Sequence, residues 1–367
     1  MASAGMIEPW IGRHFIVGLR PGPVLGDEDR DLLRRLKPAG VILYKANFDH
    51  DADYEGWTER LKALLSDVFD ATGDDGILVG IDHEGGRVCR TPPPMTRFSY
   101  PARWAETAGE VGRAMGRELA SIGVNLNFAP LLDIASNPDN PVIGERAFSS
   151  DPQTVAEHAI AFMRAQEGEG VLACGKHFPG HGDTRADSHY ELPVLDIDAA
   201  GLAARELIPF RTAIEAGLGC IMTSHILFPQ IDASVPATLS RPIINGLLRE
   251  ALGFDGLVMT DDLNMHAMDR YLDDPDAARA CLNSGTDMLM VCSHLNDNRR
   301  ALIFADAIGE ARRAGAVPDA LIEASQARIA TCLTKAPRNR VHTLTEAAFT
   351  NHQKAGALFD GRTVEVT

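Results

Sequence analysis

Short runs rich in β-branched and apolar residues recur along the chain, and after most of them comes a longer stretch in which apolar residues return every three or four positions. The runs are FIVGL (15–19), GVILY (40–44), ILVGID (77–82), VNLNFAP (124–130), LACGKHF (172–178), CIMTSH (220–225), GLVMTD (256–261) and DMLMVC (287–292). They predict eight strands. Between them DEDRDLLRRLK, DYEGWTERLKALLSDVF, WAETAGEVGRAMGRELASIG, DPQTVAEHAIAFMRAQEGEG and DAAGLAARELIPFRTAIEAG read as amphipathic helices. Several open on an Asp able to accept from the first free amides and close on Gly. An unbroken series of β-then-α units predicts an α/β fold, a single-domain (β/α)8 TIM-type barrel, with a doubly wound open sheet as the alternative. No GxGxxG follows the first run and no GxxxxGK[ST] occurs, which weighs against the nucleotide-binding folds.

After the eighth run, NDNRRALIFADAIGEARRAG and PDALIEASQARIATCLTK read as two extra helices, and LTEAAFTNHQKAGALF as a third followed by a polar end. No internal repeat, low-complexity tract or Pro/Ser-rich linker interrupts this pattern. The expected organisation is a barrel over residues 1–340 and a C-terminal helix and tail over 341–367.

Charge narrows the function classes. Lysine and arginine number 35 against 51 aspartates and glutamates, a formal charge of -16 that repels phosphate backbones at long range. Nucleic acid is therefore not an expected partner. The N-terminal segment has no apolar signal core, and no apolar run reaches the length of a membrane span, so the expectation is a cytoplasmic enzyme without a membrane partner. The six cysteines lie far apart with no C-x-x-C pair, as free thiols in a reducing compartment do.

In a barrel the chemistry sits at the C-terminal ends of the strands. There the sequence ends the third run in Asp82-His83-Glu84-Gly85-Gly86-Arg87, reaches Asp133 beyond the fourth, and ends the fifth in Lys176-His177, the sixth in His225 and the seventh in Asp261-Asp262. The loop PGHGDTRADSHYELP after the fifth run packs glycine and proline around His181, Asp183, Asp187 and His189, a composition typical of functional lids. One residue separates Asp187 from His189, so the carboxylate can approach the imidazole, raise its proton affinity and suit it to acid/base work, or merely brace the loop. The same histidines and aspartates could instead supply zinc ligands, but no HExxH motif is present and Lys176 puts a like charge beside His177. Of the Asp261-Asp262 pair, one can act at the rim while the other points into structure, and position alone does not say which. The nearby methionines read as core filler.

KHFPGHGDTRADSHYELP closely resembles the signature of glycoside hydrolase family 3, in particular its single-domain bacterial β-N-acetylglucosaminidases of the NagZ type. IDHEGGRVCR, NFAPLLDI, NPVIGERAFS and GLVMTDDLNM resemble the other blocks of the family, in the family order. The resemblance runs from about Gly40 to about Val291. It implies a retaining β-N-acetylhexosaminidase with a covalent glycosyl-enzyme intermediate, in which Asp261 is the nucleophile and His189, oriented by Asp187, is the general acid/base. It further implies sugar contacts from Asp82, Arg87, Arg146, Lys176 and His177, the lesser alternative for Arg87 and Arg146 being to brace carboxylates such as Glu84 or Glu145. His83 stands where the family commonly has Gln, and Glu145 where it commonly has Asp.

Single-domain members typically remove terminal non-reducing GlcNAc from peptidoglycan-derived muropeptides during cell-wall recycling, so the expected partner is a small GlcNAc-containing carbohydrate. No cofactor and no metal is implied, and the oligomeric state stays open. A neutral imidazole base would repel an anionic acceptor less than a carboxylate, so phosphorolysis is a companion reading to hydrolysis. The alternatives are a family 3 enzyme acting on chito-oligosaccharides or another β-glycoside, a metal-dependent barrel hydrolase, and a non-catalytic sugar-binding protein.

Overall fold

In the computed structural model the described residues are 7–188, 191–272, 276–293, 297–338 and 340–359. Eight parallel strands close into a barrel in sequence order: β1 (Phe15–Gly18), β2 (Gly40–Leu43), β3 (Leu78–Ile81), β4 (Leu126–Asn127), β5 (Leu172–Phe178), β6 (Cys220–Thr223), β7 (Leu257–Asp262) and β8 (Met288–Val291). Registers such as Val17↔Val41 and Ile16↔Met290 join the first strand to both of its neighbours. The expected barrel is what the chain forms.

Around it run α1 (Pro9–Gly12), α2 (Asp27–Leu36), α3 (Tyr54–Thr72), α4 (Pro101–Trp104), α5 (Ala108–Ser121), α6 (Pro152–Gly168), α7 (Ala199–Ala204) and α8 (Leu207–Glu215). A helix of wider, i→i+5 winding over Pro242–Ala251 precedes β7, and α9 (Asp269–Leu272), α10 (Asp276–Ser284), α11 (Arg300–Arg313), α12 (Asp319–Lys335) and α13 (Glu346–His352) complete the set. Three of the helix-opening aspartates act as expected: Asp53, Asp151 and Asp198 accept from the amides of Gly56, Thr154 and Gly201.

Two elements differ from the sequence pattern for local reasons. The run 124–130 yields only a two-residue strand, because side-chain amides replace part of the ladder. Asn125 accepts from Val79 N at 2.7 Å, and Asn127 accepts from His83 N at 3.0 Å while donating to His83 O. The helix expected over 198–217 breaks at Arg205-Glu206, where Pro209 has no amide to return to the Arg205 carbonyl.

The barrel interior is filled by Ile16, Ile42, Phe128, Met222, Met259 and Met290, all buried, so methionine does serve as filler here. Gly80 makes room for this packing, since a Cβ there would lie 2.8 Å from the Phe128 ring. The six cysteines are free thiols; five are buried, and Cys89 is half-buried. Among the described residues no helix is long and apolar enough to cross a membrane.

Beyond α12 the chain threads between α3 and α5. Asn125 donates to Pro337 O, His342 N to Ser121 O and the Tyr54 hydroxyl accepts from Leu344 N. Phe349 packs edge-on against Tyr54 at 5.3 Å. The buried Glu118 of α5 then accepts from His352 Nδ1 at 2.8 Å and from Thr96 N and Oγ1 at 2.7 and 2.6 Å. Residues 357–359 finish as an extended strip along 97–99, through Ser99 N→Ala357 O and Phe359 N→Arg97 O.

Phe349→Ala removes the most buried aromatic anchor of this segment and is expected to lower unfolding stability by about 3–5 kcal/mol. The check is a fall in the urea midpoint with an unchanged slope.

Candidate active site

The C-terminal ends of the strands surround a polar cavity of about 340 Å³. β3 delivers Asp82 and Glu84, β5 delivers Lys176 and His177, the loop after β4 delivers Arg146, and β7 delivers Asp261. A larger cleft of about 710 Å³ lies at the opposite end of the barrel, against the strand starts Leu172, Cys220 and Leu257. Its charged lining residues are Glu167, Asp255, Arg328 and Lys335, and it holds no histidine.

Glu84 is the centre of the polar cluster. Arg146 donates to it twice, from Nε and Nη2, at 2.8 Å each, and Lys176 Nζ lies 2.6 Å from Glu84 Oε1 and 2.6 Å from Asp82 Oδ1. Burial alone would raise the Glu84 carboxyl, but Arg146 and Lys176 outweigh it and hold the group well below the usual carboxylate range. Lys176 shows the mirror effect: burial lowers its pKa, and Asp82 and Glu84 more than restore it, so the ammonium stays charged. Two cations and two anions therefore form a closed, neutral set. Arg146 thus both braces a carboxylate and lines the cavity.

Arg87 also lines the cavity, but as an exposed residue whose Nη2 donates to the main-chain oxygen of Val142 at 2.8 Å. Arg90, not singled out from the sequence, is half-buried in the cavity wall with Nη2 4.0 Å from Asp82. The turn that leads into this block is made by Gly85 and Gly86, whose φ values of 101° and 56° fold the chain back so that Val88 N reaches Gly85 O. A side chain on Gly86 would run into the Tyr100 ring.

On β5, His177 is set by Asp133, a fully buried carboxylate beyond β4. Asp133 lies 2.6 Å from His177 Nδ1 and also accepts from the amides of His177 and His181. Burial would raise its pKa, but His177 and these donors lower it, so Asp133 stays ionised. The position was visible at the strand end, but its role as a shared acceptor was not.

The adjacent aspartates of β7 part company. Asp261 lines the cavity and accepts from Asp262 N at 2.7 Å. Asp262 is buried in the barrel wall, where its Oδ1 accepts from Asn264 N and Cys292 N at 3.0 Å each, and burial pushes its pKa up to about 7. Asp187 lines the same cavity as Asp261. His189 lies outside the described residues. His83 and Glu145 do not line the cavity: the His83 ring faces Cys89 at 3.9 Å, and Glu145 accepts from Arg103 at 2.7 Å. Among the described residues no three His, Cys, Asp or Glu side chains are grouped as metal ligands. His181, one of the zinc candidates, contacts Thr184 and Ser188 instead.

Residues 18–332 match the model of the glycosyl hydrolase family 3 N-terminal domain. The chain belongs to glycosyl hydrolase family 3. Among curated relatives of this family 3 chain is the β-hexosaminidase of Thiobacillus denitrificans, 39% identical over 284 residues that span 74% of this chain and 76% of the relative. The β-hexosaminidase of Thioalkalivibrio sulfidiphilus is 38% identical over 296 residues, 78% and 82% of the two chains. A family 3 β-N-acetylglucosaminidase from Paenibacillus sp. str. FPU-7 superposes with a TM-score of 0.85 at 30% identity, over 95% of this chain and 68% of that one. NagZ from Neisseria gonorrhoeae, solved with N-trifluoroacetyl-D-glucosamine, gives 0.68 at 28% identity over 88% and 98%. This family 3 chain is a glycoside hydrolase of the β-hexosaminidase type.

Glu84→Gln leaves Arg146 and Lys176 short of a buried counter-charge and is expected to cost about 3–5 kcal/mol near pH 7. Glu84 has a folded pKa below the ordinary 4.5, so its carboxylate contributes stability that is complete above that value and is lost as the pH falls toward the depressed one. The deficit of the variant should therefore narrow in acid, as read by denaturant unfolding at neutral and acid pH.

Proposed function

We propose that this enzyme is a retaining, exo-acting β-N-acetylglucosaminidase that removes terminal non-reducing GlcNAc through a covalent glycosyl-aspartate intermediate. The observation that carries the reading is the arrangement of Asp261 and Asp187 on the same small cavity as Asp82, Lys176 and Arg146. A cavity of about 340 Å³ takes one pyranose with its acetamido arm, which suits removal of single terminal residues.

Asp261 is the nucleophile, because it reaches the cavity while Asp262 is turned into the wall. Its attack on the anomeric carbon forms the C–O bond to the enzyme as the glycosidic bond breaks. His189, oriented by Asp187, donates a proton to the departing oxygen, and the imidazole so left neutral then takes a proton from the water that releases the sugar. The Lys176–Asp82 pair presents a donor and an acceptor side by side, which is what a ring carrying vicinal hydroxyls needs, and His177 and Arg146 add donors beside it. Arg90, beside Asp82, joins Arg87 as a candidate sugar or aglycone contact.

The natural substrate in this reading is a GlcNAc-terminated muropeptide handled in the cytoplasm during peptidoglycan recycling. The formal charge of -16 opposes an anionic glycopeptide at long range, so the cavity cations must supply the local attraction.

Aryl β-GlcNAc should be cleaved in the presence of chelator and the aryl β-glucoside much less. Asp261→Ala should lose roughly 10³-fold or more in kcat. His189→Ala should lose far less on an activated aryl leaving group than on a GlcNAc disaccharide, since the former needs little proton donation. Chelator inhibition or full activity in Asp261→Ala would overturn the reading.

A further inference from the structure

The loop that leaves β5 is anchored by one buried imidazole. His181 is 2% exposed, and three contacts fix it. Its amide donates to Asp133 Oδ1 at 2.7 Å, its Nδ1 lies 2.9 Å from Thr184 Oγ1, and its Nε2 lies 3.2 Å from Ser188 Oγ. Asp133 is the same carboxylate that holds His177. The His177 ring and the loop anchor are thereby set from one point on the barrel.

Burial, with His177 close by, lowers the His181 pKa to about 4 despite the pull of Asp133, so the ring carries one N–H and one lone pair near neutrality. Such a ring suits two hydroxyl partners, because each hydroxyl can give or accept a hydrogen. The turn 181–184 is further fastened by two asparagines. Asn140 donates to His181 O and Gly182 O at 2.9 Å each, and Asn137 donates to Thr184 O at 3.1 Å.

Rigidity of that turn would not by itself reach Asp187-Ser188-His189. The link is Ser188, which is 3% exposed and forms part of the cavity wall with Asp187 and Asp261. Its hydroxyl meets His181, and its carbonyl accepts from Ala267 N at 3.3 Å, just beyond β7. Ser188 is thus held between the β5 loop anchor and the segment that follows the Asp261 strand.

We propose that His181 is a positioning residue for the acid/base pair: anchored on Asp133, it pins Ser188 and so sets where Asp187, the residue that orients the acid/base, stands relative to Asp261. This rests on the assignment of His189 as acid/base. A structural brace and a positioning residue differ in what their loss does to catalysis. Loss of a brace harms every substrate alike, whereas misplacing the proton donor harms substrates in proportion to their need for a proton.

The test compares kcat/KM on dinitrophenyl β-GlcNAc, whose leaving group needs no proton, with that on a GlcNAc disaccharide, whose leaving group does. His181→Gln and Ser188→Ala should each lose about tenfold or more on the disaccharide and less than about threefold on the activated substrate. Ser188→Ala removes one oxygen and decides the matter if His181→Gln does not fold. Adding His181→Gln to His189→Ala should give no further leaving-group-dependent loss. Equal losses on both substrates, or no loss on either, would overturn the proposal. If His189→Ala shows the leaving-group dependence and the two pin variants do not, the pin fails and the acid/base assignment stands. If His189→Ala shows none, the assignment falls and the pin with it.

Discussion

Three parts of the chain meet on one carboxylate. Glu84 arrives from β3, Lys176 from β5 and Arg146 from the loop after β4, and all three side chains are almost fully buried. None of these charges could be left alone there, because an uncompensated buried ion costs several kcal/mol. The set survives by being neutral and by its hydrogen bonds: Arg146 grips Glu84 with two donors, and Lys176 is shared between Glu84 and Asp82. A buried network of this kind adds little to stability beyond what apolar packing would give. What it supplies is position. Lys176 cannot turn away from the cavity without giving up both of its carboxylate partners, so the cavity-facing groups stand in place before any ligand arrives.

The same logic separates the two aspartates of β7. A strand sends successive side chains to opposite sides, so one carboxylate must meet the cavity and the other the wall. Asp262 in the wall receives two backbone amides and a raised pKa, while Asp261 at the rim takes one amide and keeps its access to the cavity. Adjacency in sequence gives two identical groups, and the environment gives them different chemistry.

The barrel was legible because apolar runs and helical spacing alternate along the chain, and this signal survives irregular elements. Its details were not, where side chains act as backbone. β4 shrinks to two residues because Asn125 and Asn127 take over ladder bonds, and propensity does not foresee that exchange. The polar residues at the strand ends were legible as a group, but their partners were not. Arg87 and Arg90 sit in one short block, and their spacing does not tell which of them stands beside Asp82. Asp133 and His181 could be read as strand-end and loop residues. That His177 and His181 share Asp133 as acceptor depends on two backbone amides that no motif encodes.

The strip at residues 357–359 braces the cavity from far along the sequence. It lies along the segment that follows Glu84, Arg87 and Arg90, and Glu118 and His352, which help to hold it there, are 234 residues apart. The segment beyond the last barrel strand therefore reaches back to the third, and the cavity rim behind β3 leans on a part of the chain that no motif of the site contains.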